Sequence, residues 1–128
     1  NTINRSKTTD SLLNVFIDFY SNFFSYKNYQ NSCPLVRALN EADIPQGKIK
    51  KAAVNEIKRW NRLLVQILEE GKDKGEINPG IDSNYYSKLI INLIEGSLLI
   101  SKALKDKSYL DCAMDHLSFI IKNEICKK

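Results

Sequence analysis

Apolar residues recur at steps of three and four along most of the chain, and no stretch shows the alternation of a half-buried strand. Five helical segments follow from that pattern. The first begins at Thr8 or Thr9, either of which can cap it, and runs to about Tyr26. Leu12, Leu13, Val15, Phe16, Phe19, Tyr20, Phe23 and Phe24 give it a wide apolar stripe. A polar link over 27–32 leads to a short helix from about Pro34 to Asp43, with Pro34 where a missing N–H costs nothing. Pro45 disfavours a helical Ile44, so Ile44-Pro45-Gln46-Gly47 breaks the chain. A long third helix is expected from about Gly47 to Glu70, marked by Ile49, Ala53, Ile57, Trp60, Leu64, Ile67 and Leu68. Gly71 is its expected terminator, with Gly75 and the Asn78-Pro79-Gly80 turn completing the break, so 71–81 reads as a loop.

The fourth helix, about Ser83 to Leu104, has Asp82 or Ser83 as its cap. Leu89, Ile90, Ile91, Leu93, Ile94, Leu98, Leu99 and Ile100 make it apolar over more than half its circumference. The clear polar stripe is Lys88, Asn92, Glu95 and Lys102. Such a helix needs more than one packing partner. The last helix spans about Tyr109 to Ile125, and Ser108 with Asp111 resembles a capping box. Its inner face is Leu110, Ala113, Met114, Leu117, Ile120 and Ile121. The fold class is therefore all-α, a five-helix bundle over residues 8–126 with residues 1–7 as a connector.

Composition agrees with one globular domain: 128 residues, 43% hydrophobic and 27% charged. No run of about 18 uncharged apolar residues is present, so no membrane span is expected. No signal-peptide pattern is visible, and a start at Asn1 rather than Met suggests a processed or truncated end. Cys33, Cys112 and Cys126 are odd in number and widely spaced, which argues for a reducing, cytoplasmic setting over a disulfide framework.

The net charge is +4, with basic residues at Lys48, Lys50, Lys51, Lys58, Arg59 and Arg62. They read either as a nucleic-acid patch or as a solvated helix face. The second fits better, because Lys51, Lys58 and Arg62 share an outer stripe and aromatics do not interleave with them.

Catalytic chemistry finds little support. His116 is the single histidine, and there is no phosphate-binding glycine loop, nucleophile elbow or Cys-x-x-Cys. Cys112 and His116 share a helical face and could supply two metal ligands, but neither Cys33 nor Cys126 has the spacing of a third. No enzyme activity, metal or cofactor is expected. Asn92 and Glu95 read as polar anchors of a pocket or as part of the outer polar stripe. Trp60 reads as core filler or as a pocket wall with one N–H donor. The dense aromatics of the first helix read as core or as pocket lining.

From Cys33 to about Ile121 the pieces form a recognisable series. Cys33-Pro34-Leu35 opens a short helix that reaches Glu41, and a long helix carries Trp60 and closes on Gly71. Lys74-Gly75-Glu76-Ile77 follows, then Asp82 introduces a helix containing Leu93-Ile94-Glu95-Gly96, and an amphipathic helix ends the chain. This resembles the C-terminal effector-binding and dimerisation domain of TetR-family transcriptional regulators. The resemblance implies a homodimer in which the last two helices of each subunit form a four-helix interface. Leu89, Leu93, Gly96, Ile100 and Ala103 offer one stripe for it, and Leu110, Met114, Leu117 and Ile121 a second. It also implies a small-molecule pocket within each subunit. The residues expected to line it are Phe16, Tyr20, Phe23, Trp60, Leu64 and Ile67, with Asn92 as a polar contact and an apolar or aromatic effector as ligand. DNA would be bound only through a helix-turn-helix domain that residues 1–10 cannot supply. The function implied is ligand sensing and dimerisation in a bacterial regulator, typically a repressor. The alternative is a helical protein–protein interaction module with a filled interior and no small ligand.

Overall fold

The computed structural model describes residues 47–127 and, within them, the side chains of all but 47–50 and Ala53. The first two expected helices lie outside the described residues. Within them the protein is helical: α1 spans Gly47–Asp73, α2 Ser83–Leu104 and α3 Ser108–Ile120, and a π-helical turn covers Ile121–Ile125. The one β feature among these residues is an isolated antiparallel bridge between Ile77 and Cys126.

α1 runs three residues beyond the expected end, and Gly71 is buried inside it. The stop falls not at the expected Gly71 but at Gly75, where φ is 77°. The Gly75 N–H donates to Lys72 O at 3.0 Å and the Glu76 N–H to Gly71 O at 2.9 Å. That pair of bonds is a Schellman closure, which satisfies carbonyls the helix end would otherwise leave open. It also turns the chain so that Ile77 enters the core.

Asp82 is the cap of α2. Its carboxylate accepts the N–H groups of Asn84 at 3.0 Å and Tyr85 at 3.2 Å. α2 ends in a second Schellman closure, here with Lys105 in the left-handed region at φ 53°. The expected box between Ser108 and Asp111 does not form. Asp106 accepts the Ser108 N–H at 2.9 Å, and the buried Ser101 hydroxyl accepts the Leu110 N–H at 2.8 Å. Asp111 pairs with Lys107 at 3.3 Å instead.

α1 and α2 run antiparallel. The Ser87 hydroxyl donates to Asn61 Oδ1 at 2.7 Å, and Ser83 donates to Glu69 two turns further along α1. The core is Leu64, Leu68, Ile77, Ile90, Ile94, Leu98, Leu110, Met114, Leu117, Ile120, Ile121 and Ile125. Ile77 comes from a segment with little helical pattern, and Ile125 closes the π-helical turn. The Asn78 N–H donates to Ile125 O at 2.8 Å and the Lys127 N–H to Glu76 O at 2.9 Å, so the end of the chain is pinned to the α1–α2 connection.

The core-facing side of α2 is only partly apolar. Ser83, Ser87, Ser97 and Ser101 are all buried there beside Ile90, Ile94 and Leu98. Each serine has a hydrogen bond: to Glu69, to Asn61, to the Leu93 and Ile94 carbonyls, and from the Leu110 N–H. Placing serines inward leaves several of the helix's large apolar residues outside.

Candidate functional site

Two flanks of α2 face away from the described core, and they differ in chemistry. One flank meets α1 across a groove of about 470 Å³, lined by Ile57, Lys58, Asn61 and Arg62 of α1 and by Lys88, Ile91 and Asn92 of α2. Helical spacing explains the set. Residues 57, 58, 61 and 62 lie on neighbouring turns of one side of α1, and 88, 91 and 92 do so on α2. Antiparallel packing brings the two sides together.

Of the expected pocket residues, Asn92 lines this groove and is exposed. Trp60, Leu64 and Ile67 do not line it. Leu64 is a core residue at 2% exposure, and Trp60 and Ile67 are half-buried against the core. The Trp60 indole N–H donates to Glu56 Oε2 at 2.9 Å. Glu56 also holds Arg59 through two contacts, at 3.1 and 2.8 Å. The Arg59 bonds, then the indole bond, hold the Glu56 carboxyl below the usual carboxylate range. Phe16, Tyr20 and Phe23 lie outside the described residues.

The sequence reading missed Ile57, Lys58, Asn61, Arg62, Lys88 and Ile91 as a group. Lys58 and Arg62 were visible as an i,i+4 basic pair, and Lys88 with Asn92 as a polar i,i+4 pair. What periodicity alone does not say is that the two pairs face each other. Glu95, on the next turn of α2, is not part of the lining, and both its carboxylate oxygens are shielded from solvent.

The other flank of α2 is apolar. Leu89 and Leu93 are half-buried, while Gly96, Ile100, Ala103 and Leu104 are exposed. A Cβ at Gly96 would meet nothing within 4 Å in this chain. α3 adds Tyr109 and Phe119, 46% and 54% exposed, and the His116 ring stacks on Phe119 with centroids 5.9 Å apart. Leu110, Met114, Leu117 and Ile121, expected as the second interface stripe, are turned the other way and fill this chain's own core. The reason is the helix phase: these four follow the heptad-like spacing that one chain's core demands, and the exposed Tyr109, Cys112 and His116 occupy the side away from it.

Cys112 is exposed, and among the described residues no group of three or more His, Cys, Asp or Glu side chains is gathered to hold a metal ion. Cys33 lies outside the described residues. No helix among the described residues is long and apolar enough to cross a membrane.

The family model for the tetracyclin repressor-like C-terminal domain matches residues 11–117. No curated protein matches the chain. Two solved structures are similar in fold. A TetR transcriptional regulator from Chloroflexus aurantiacus J-10-FL superposes with a TM-score of 0.83 at 21% identity, covering 95% of this chain and 62% of that one. A TetR-family transcriptional regulator from Cytophaga hutchinsonii gives a TM-score of 0.81 at 27% identity, covering 95% of this chain and 61% of that one. The chain thus spans about three fifths of the length of these regulators. With a family model matched over most of its length, the chain belongs to the tetracyclin repressor-like C-terminal domain family of transcriptional regulators.

Proposed function

We propose that this chain is the ligand-sensing and dimerising part of a bacterial repressor that works in the cytoplasm and binds DNA through a separate helix-turn-helix domain. Residues 8–126 act as one domain. The observation that carries the reading is the double use of α2. One flank lines a groove of small-molecule size, and the other is an apolar stripe that the chain's described core leaves exposed. Pockets for small molecules span roughly 300–1,000 Å³, and the groove falls inside that range.

A symmetric partner would cover Gly96, Ile100, Ala103 and Leu104 of α2 with the outward side of α3 around Tyr109 and Phe119. Bare Gly96 allows the partner backbone to come close. Because α2 touches both the groove and the stripe, a molecule seated in the groove shifts α2 relative to α1 and, through the stripe, one subunit relative to the other. The ligand then selects the dimer geometry it fits better, which is a population shift and requires no chemical step.

Light scattering on a size-exclusion column over a dilution series tests the reading. A species of twice 14.7 kDa is the expected result. A monomer at all concentrations would refute dimerisation and favour an interaction module that meets a different protein.

A further inference from the structure

The effector reading above leaves open what kind of molecule the groove takes, and the lining residues bear on that. The charged residues lining it are Lys58, Arg62 and Lys88, all cations. Three other basic residues of the described part, Arg59, Lys72 and Lys107, pair with Glu56, Glu69 and Asp111. Among the described residues no carboxylate pairs with Lys58, Arg62 or Lys88. Three like charges around one concavity repel each other, and a ligand that brings a negative charge relieves that repulsion.

The neutral lining points the same way. Asn61 accepts the Ser87 hydroxyl at its Oδ1, which leaves its amide N–H groups as donors. Donors and cations suit an acceptor-rich anionic group. Ile57 and Ile91, both half-buried, supply an apolar floor. Among the described residues no aromatic ring lines the groove, so these residues offer no stacking platform of the kind a nucleic-acid strand would use.

We propose that the groove takes an amphipathic anion: a small molecule with an apolar body on Ile57 and Ile91 and a carboxylate, sulfonate or phosphate head held by Lys58, Arg62 and Lys88. This rests on the reading that the groove is the effector site, and it replaces a purely apolar effector with a charged one.

The test compares two fluorescent probes with the same aromatic body, anilinonaphthalene sulfonate and its uncharged parent phenylnaphthylamine, titrated into the full chain. The sulfonate binds roughly tenfold tighter than the parent, the sum of a few modest charge contacts. Arg62→Gln and Lys88→Gln each weaken the sulfonate roughly two- to fivefold and leave the parent unchanged. Added salt weakens only the sulfonate. All three cations lie on exposed helical surface, so the variants fold, and Lys88→Glu gives a larger loss of the same kind. Equal affinity for both probes, indifferent to the two variants, overturns the anionic ligand while the effector groove stands. Tight sulfonate binding that survives loss of both cations places the anion elsewhere and also overturns it. If neither probe binds, the inference and the effector reading fall together.

Discussion

Substituting Ile100 by Glu tests the apolar stripe directly. Ile100 is 46% exposed in the single chain and is absent from its core. Complete burial of an isoleucine side chain is worth roughly 1.5–3 kcal/mol, so the half still exposed holds about 1 kcal/mol for association. A two-fold interface contains the residue twice, so Ile100→Glu removes about 2 kcal/mol before any cost of burying two carboxylates is added. That corresponds to a dissociation constant raised about thirtyfold or more. Leu93 is a poorer probe. It is half-buried against its own chain's core, so a glutamate there lowers folding stability and association together. Sedimentation equilibrium, with circular dichroism to confirm an unchanged helix content, reads the effect. An unchanged dissociation constant for the Ile100→Glu dimer would refute the assignment of this stripe to the interface.

Three further outcomes follow from the packing. Ile77→Ala, at a fully buried position in the α1–α2 connection, lowers unfolding stability by about 2–5 kcal/mol in denaturant titrations, whereas a true loop residue would change it by less than about 0.5 kcal/mol. Lys105→Gly relieves the one non-glycine left-handed residue among those described and raises stability by about 0.5–1 kcal/mol; a loss would show that the lysine side chain makes up for its strain. Glu69 accepts the Ser83 hydroxyl and pairs with Lys72 at 3.0 Å, and both contacts, the hydroxyl first, lower its carboxyl pKa. A lowered pKa means its contribution is present above the ordinary glutamate range and is lost as the pH falls through the folded value, so the melting temperature of Glu69→Gln falls less on acidification than that of the wild type. Parallel acid limbs for the two proteins would rule this out.

Much of the helical pattern was legible because the strongest signals were local. Asp82 before an apolar run caps α2, and the three- and four-residue spacing of Leu110, Met114, Leu117 and Ile121 gives the inner face of α3. What was not legible depended on contacts between segments. Gly71, the expected terminator, lies buried inside the helix, and the stop falls at Gly75, two residues before the buried Ile77. Ile77 carries no periodic signal, since it is placed where the α1–α2 connection bridges to Cys126 near the chain's end. The serines of α2 were the most misleading. Hydropathy sends serine outward, yet Ser83, Ser87, Ser97 and Ser101 are buried because each finds a hydrogen-bond partner.

That inversion bears on function as well as on packing. A helix that spends part of its core face on small hydrogen-bonded residues packs close to its neighbours and still has large apolar side chains to offer elsewhere. It also fixes the helix phase, so that Lys88, Ile91 and Asn92 meet Ile57, Lys58, Asn61 and Arg62 of α1. The groove and the stripe are thus two consequences of one choice of phase. A change that rotates α2 by even one residue position, about 100°, would lose both together. This makes the bonds of Ser83, Ser87 and Ser101 to neighbouring segments, rather than the exposed leucines, the feature that holds the groove and the apolar stripe in register.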